Sequence, residues 1–190
     1  MSPRLDVVAG PNGAGKSTFI TLILAALVPG SVVVDADQIA RERWPDDPAG
    51  HAYDAAGVAA DTRARLIEMR RSFIAETVFS HPSKVELIRA ARAAGYTTVL
   101  HVLLIPEELA VERVKQRART GGHDVPEAKI RERHRRLWAL VAKGIAVSDS
   151  ALVYDSTRRE GPRIVATMTA GQLMGSAVWP AWTPADLRRE

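Results

Sequence analysis

The chain has 190 residues, 46% of them hydrophobic and 25% charged, a balance that suits one globular domain able to bury a core without disulfides or metal. It has no cysteine, which excludes a disulfide framework, thiolate zinc sites and a cysteine nucleophile. The formal charge of +4 gathers between Arg113 and Arg136, a stretch without Phe, Tyr or Trp for stacking on bases, so the basic balance fits phosphate groups on a small ligand better than nucleic acid.

The opening "MSPRLDVVAGPNG" has no leader pattern, and no later apolar run reaches membrane-spanning length, so a cytoplasmic chain with no membrane partner is expected. Strands are predicted at Leu5–Ala9, Val32–Asp35, Ser72–Thr77, Thr97–Ile105, Ala151–Asp155 and Arg163–Met168. Most are continuously apolar, as strands covered on both faces must be. Helical patterns lie between them. One runs from Gly15 to Leu27 and stops before Pro29-Gly30. Ser83–Glu86 has capping-box spacing for a helix that ends at Gly95, and Pro106-Glu107-Glu108 opens the next with an acidic first turn. A loop-like basic connection, Arg117 to Pro126, separates two further helices, and the tail from Gly175, with Trp179 and Trp182, reads as irregular chain docked on the core. The alternation predicts a single α/β domain over 1–190 with a mainly parallel sheet.

"GPNGAGKST", Gly10 to Thr18, has the full P-loop spacing and stands after a strand and before a helix. Its backbone N–H groups, from Gly10, Asn12, Gly13, Ala14, Gly15, Lys16, Ser17 and Thr18, are expected to cradle phosphates at the positive end of the helix. Lys16 would reach the outer phosphates of ATP, and the Ser17 hydroxyl would ligate Mg²⁺. The motif does not choose a class of NTPase. A transport-type ATPase would carry a second signature of the LSGGQ kind, but the one Gly-Gly pair, in "RTGGHDVP", lacks the Leu-Ser before it.

The acceptor side is read from three places. Strand two ends in "VVVDADQIAR", which puts Asp35 and Asp37 beside the P-loop; Asp37 suits a general base for a hydroxyl, and also an N-cap for the following helix. Strand three ends in "FIAETVFS", where Glu76 suits a Mg²⁺-holding acid and Thr77 and Ser80 could bond the acceptor. Arg113 and Arg117, four apart on one helix face, suit a lid over about 113–136 that closes on the transferring phosphoryl group.

Taken together, "GPNGAGKST", "VVVDADQIAR", "SFIAETVFSHPSK", "RVKQRARTGGHDVP" and "IRERHRR" resemble the zeta-toxin family of small P-loop kinases, over roughly Leu5 to Leu173. The resemblance implies a three-layer P-loop kinase fold with a short helical lid. It also implies transfer from ATP to a hydroxyl, in the family's toxins the 3′-hydroxyl of the sugar in UDP-N-acetylglucosamine. By position it makes Asp37 the base, Lys16 and Ser17 the holders of phosphate and Mg²⁺, Glu76 and Thr77 substrate-facing, and Arg113 the first lid arginine. Where the family places a second lid arginine this chain has His123, a group that is largely neutral at pH 7, so Arg117 or Arg119 is the expected substitute. No antitoxin domain is appended, so an antitoxin would be a separate protein. The rival readings are a kinase of the same fold for an antibiotic or nucleoside, and an ATP-switched binding protein that needs no hydroxyl-facing base.

Overall fold

The computed structural model describes residues 2–119, 125–158 and 160–188. Among these, seven strands form one sheet in the order β2-β3-β1-β4-β5-β6-β7. They are β1 (Arg4–Ala9), β2 (Val32–Val34), β3 (Phe73–Thr77), β4 (Thr97–Leu104), β5 (Ser150–Asp155), β6 (Arg163–Thr169) and β7 (Gln172–Leu173). The pairs from β2 to β5 are parallel; β6 and β7 join antiparallel at one side. Strand β1 is central, with Val7 between Ala75 and Leu100.

Six helices are described. Helix α1 comprises Lys16–Phe19, a π-type stretch Ile20–Leu24, and Ala25–Leu27. The others are α2 (Ala36–Arg43), α3 (Ala52–Glu68), α4 (Ser83–Ala93), α5 (Glu107–Arg119) and α6 (Glu127–Val147). The pleat divides the apolar residues of the strands between two clusters. Leu5, Val7, Phe73, Ala75 and Leu100 meet Ala59 and Leu66 of α3, Val85 and Ile88 of α4, and Leu137 and Val141 of α6. Val8, Ile74 and Leu103 meet Phe19 and Leu24 of α1 and Val111 and Val114 of α5. The sheet is therefore the middle of three layers. The tail from Gly175 holds one 3₁₀ turn, Ala185–Leu187, and lays Trp179 and Trp182 on the first cluster.

Asp6 is a polar residue within the otherwise apolar β1. Its carboxylate accepts two hydrogen bonds from Arg4, each 2.7 Å, and lies 2.9 Å from Nε2 of His101, whose Nδ1 is 3.2 Å from the Tyr154 hydroxyl. Burial works to raise the Asp6 pKa, but the bonds from His101 and Arg4 outweigh it and hold it below the usual range.

One local expectation fails. Ser83 is the first helical residue of α4 rather than its cap; Pro82 holds the cap position and no side-chain cap bond forms. The Ser83 hydroxyl meets His81 Nδ1 at 2.9 Å, and Glu86 pairs with Arg89 at 2.6 Å instead of reaching back.

Candidate active site

From β1 the chain passes through α1, on one face, to β2 beyond β3; from β3 it passes through α4, on the other face, to β4 beyond β1. These connections diverge, and the crevice at the C-terminal ends of β1 and β3 is where such a sheet leaves room for a ligand. The P-loop fills it. Gly13 holds φ 78°, and a Cβ there would meet the Ala110 carbonyl of α5 at 2.9 Å, so the loop and α5 approach as only glycine permits. Gly10 and the fully buried Ala14 sit beneath the cradle: a Cβ on Gly10 would meet the Leu103 carbonyl at 2.7 Å, and the Ala14 carbonyl accepts from Ser156 Oγ at 2.8 Å.

A cleft of about 330 Å³ opens above this loop. Its walls are Asn12, Gly13, Gly15, Lys16, Ser17 and Thr18 of the P-loop, Asp35, Asp37 and Arg41 at α2, Glu76 of β3, and Arg113 and Arg117 of α5. Thr77 and Ser80 do not line it; the Thr77 hydroxyl accepts from the Phe79 N–H at 3.1 Å. Arg41 does line it. Sequence reasoning misses this residue, although its spacing of four from Asp37 on one helix is a usable signal.

Inside the cleft, Lys16 Nζ donates to the Pro11 carbonyl at 3.2 Å and stands 4.0 Å from Glu76 Oε1. The same Oε1 accepts from Ser17 Oγ at 3.1 Å. Burial lowers the Lys16 pKa, against the pull of Glu76, Asp37 and Asp35, and Arg117 pushes in the same direction as burial. Burial likewise raises Glu76, opposed by Lys16, and raises Asp35, opposed by the Asp37 N–H.

The geometry revises one assignment and adds to another. The N-cap of α2 is Asp35, whose carboxylate accepts from the Asp37 N–H at 2.9 Å; Asp37 lies in the first turn with its side chain turned to the cleft. Arg113 donates to the carbonyls of Gly13 (3.3 Å), Ser156 (2.9 Å) and Thr157 (3.1 Å), bracing α5 against the P-loop and the segment after β5 while it lines the cleft. Arg131 is engaged elsewhere, with Glu107, Glu108 and Glu127. His123, and with it part of the expected lid, lies outside the described residues.

The donor set suits a nucleotide with Mg²⁺. Among the described residues no group of three or more His, Asp or Glu could hold a metal alone. Mg²⁺ needs few protein oxygens when phosphates and water complete its shell, and Ser17 with Glu76 supplies two. Asn12 Oδ1 is buried without a hydrogen-bond partner at the wall of the same cleft, a polar atom left for a ligand to satisfy.

The Zeta toxin family model matches residues 1–159. No curated protein matches the chain. Among solved structures, an AvrRxo1-ORF1:-ORF2 complex with ATP is similar with a TM-score of 0.70 and 15% identity, over 91% of this chain and 60% of that one. The PezAT chromosomal toxin-antitoxin system of Streptococcus pneumoniae is similar with a TM-score of 0.64 and 14% identity, over 90% and 74%. A putative kinase from Chloroflexus aurantiacus gives a TM-score of 0.53 and 20% identity over 63% and 69%. This chain thus spans about 60% of the length of the AvrRxo1 chains it matches. No helix among the described residues is long and apolar enough to cross a membrane. With the family model covering most of the chain and the site assembled within the matched residues, the chain belongs to the zeta toxin family.

Proposed function

We propose that this chain is an ATP-dependent kinase that transfers the γ-phosphate to a hydroxyl of a small molecule, with the 3′-hydroxyl of the sugar in UDP-N-acetylglucosamine as the leading acceptor. The observation that carries the reading is the convergence of Lys16, Ser17 and Glu76 on one side of the cleft with Asp37 on its acceptor side. Lys16 holds the outer phosphates, and its depressed pKa reflects burial that phosphate charge would relieve. Ser17 and Glu76 would hold Mg²⁺, which when bound neutralises charge on the transferring group. Asp37 takes the proton of the attacking hydroxyl. Arg113 and Arg117 face the same space from α5 and stabilise the charge of the transferring phosphoryl group. On this reading the protein works in the cytoplasm, beside its ATP, and a separate antitoxin is its protein partner, as the PezAT neighbour is a toxin-antitoxin system.

The test is ³¹P NMR of the purified protein with ATP, Mg²⁺ and a panel of UDP-sugars, nucleosides and aminoglycosides. A new phosphomonoester with UDP-N-acetylglucosamine is expected. A product with an antibiotic or nucleoside instead would keep the kinase and replace the acceptor. Release of inorganic phosphate alone would favour an ATP-driven switch.

A further inference from the structure

Arg41 is the cation on the α2 wall of the cleft. The other charged groups of that wall, Asp35 and Asp37, are carboxylates, and Glu76 of β3 adds a third. The remaining cations come from elsewhere, Lys16 from the P-loop and Arg113 and Arg117 from α5. Because α2 follows β2 and α5 follows β4, the two helices stand on opposite sides of the P-loop strand β1.

Arg41 follows Asp37 by four residues, a spacing at which a carboxylate and a guanidinium commonly pair along a helix. Such pairs form on α6, where Arg131 meets Glu127 at 2.9 Å and Arg136 meets Glu132 at 3.2 Å. On α2 the pair does not form. Among the described residues neither the Asp37 carboxylate nor the Arg41 guanidinium makes a hydrogen bond or an ion pair, and both line the cleft. That leaves an electrostatic problem and its answer on one helix. A carboxylate close enough to take the proton of the attacking hydroxyl also faces the charge spread over the γ-phosphoryl oxygens, and repels it. A guanidinium one turn away offsets that repulsion and offers a planar fork to two oxygens. Arg41 breaks no bond of the fold in turning to them.

We propose that Arg41 is a further catalytic residue, a clamp that donates hydrogen bonds to the transferring phosphoryl group from the wall opposite Arg113 and Arg117. In the step, the acceptor oxygen bonds to the γ-phosphorus as the bond from that phosphorus to the bridging oxygen of ADP breaks. The hydroxyl proton passes to Asp37, and Arg41 keeps its protons throughout. The inference rests on the kinase reading, but its test needs no acceptor.

Aluminium fluoride bound beside ADP imitates the transferring phosphoryl group. Calorimetry measures the affinity for ADP with Mg²⁺, with and without aluminium fluoride. In the wild type the fluoride is expected to tighten binding by at least about 10²-fold, as transition-state analogues do. In Arg41→Met that gain should shrink at least about tenfold, the loss expected for a hydrogen bond to a charged group, while ADP alone binds as in the wild type. Arg41→Lys should recover part of the gain, since the charge returns without the fork. Arg41→Met should also melt like the wild type, because the side chain is exposed. An equal gain in Arg41→Met, no gain in the wild type, weaker binding of ADP itself, or a melting temperature lower by several degrees would each overturn the clamp. The kinase reading fails on a different result, a ³¹P NMR panel in which no acceptor is phosphorylated.

Discussion

Asp35 and Asp37 stand two residues apart, yet the structure gives them separate tasks. Asp35 caps α2, so Asp35→Ala should cost about 0.5–2 kcal/mol and lower the melting temperature. Asp37 gives only its backbone N–H to that cap, so Asp37→Asn should melt like the wild type while kcat falls by at least about 10²-fold, a typical general-base contribution. Normal turnover in Asp37→Asn would remove it as the base. Glu76 makes a different statement. Its pKa is raised in the fold above the ordinary 4.5, so the unfolded chain gives up this proton first. Its share of stability is therefore greatest at low pH and falls as pH climbs from the unfolded value through the folded one. Glu76→Gln should reduce the drop in melting temperature between about pH 4.5 and 7 and should also abolish Mg²⁺-dependent transfer. If the pH profile of melting is unchanged in that variant, burial does not penalise the carboxylate. That such acids sit at strand ends was legible in "VVVDADQIAR" and "FIAETVFS"; which of the two aspartates caps was not, because a cap is defined by the backbone's exit from the strand and both positions have a suitable side chain.

At the scale of elements, strands of continuous Val, Ile and Leu announce themselves, while α3 shows how a helix escapes reading. Its buried stripe is Ala55, Ala59, Arg63 and Leu66, three weak or contrary signals and one strong one. The capping box at Ser83 misled for a related reason: His81 offers the serine a nearer partner than the helix does. Helix α6 carries a device that only packing reveals. A Cβ on Gly144 would meet Phe79 Cζ at 2.8 Å, so this glycine makes room for the ring that anchors the segment between β3 and α4. Alanine would improve helix propensity by about 0.8–1.0 kcal/mol, but the collision must move the buried Phe79 ring against Leu100, whose Cδ2 the same Cβ would meet at 3.1 Å. Gly144→Ala should therefore cost about 1–3 kcal/mol of overpacking and lower the melting temperature, while ATP affinity stays unchanged. An unaltered melting temperature would mean that the ring gives way without strain. The basic stretch was legible as a cluster but not in its division of labour, since Arg113 and Arg117 face the cleft and Arg131 ties α5 to α6.

The whole molecule divides unequally between site and support. The cleft draws on α2, α5, the P-loop and β3, with the segment after β5 bracing Arg113 through Ser156 and Thr157. All of these lie within the residues matched by the family model, which ends at 159. Beyond that point the chain forms β6, β7 and the tail, and none of their described residues lines the cleft. These residues nonetheless belong to the core: Val165, Ala166, Met168 and Leu187 are buried in the first cluster together with Leu137 and Val141 of α6. The distal part should thus govern stability without governing chemistry. Leu187 is the cleanest probe, because it is 4% exposed and stands on the short 3₁₀ turn of the tail, with no polar role to lose. Leu187→Ala should cost about 2–5 kcal/mol as lost burial plus cavity. For a chain of this size that corresponds to a melting temperature lower by about 5 °C or more. Assayed well below the new midpoint, the variant should keep the wild-type kcat and ATP affinity, because the parallel strands that set the crevice are still paired as before. A loss of kcat with unchanged melting would show instead that the tail reaches the reacting groups.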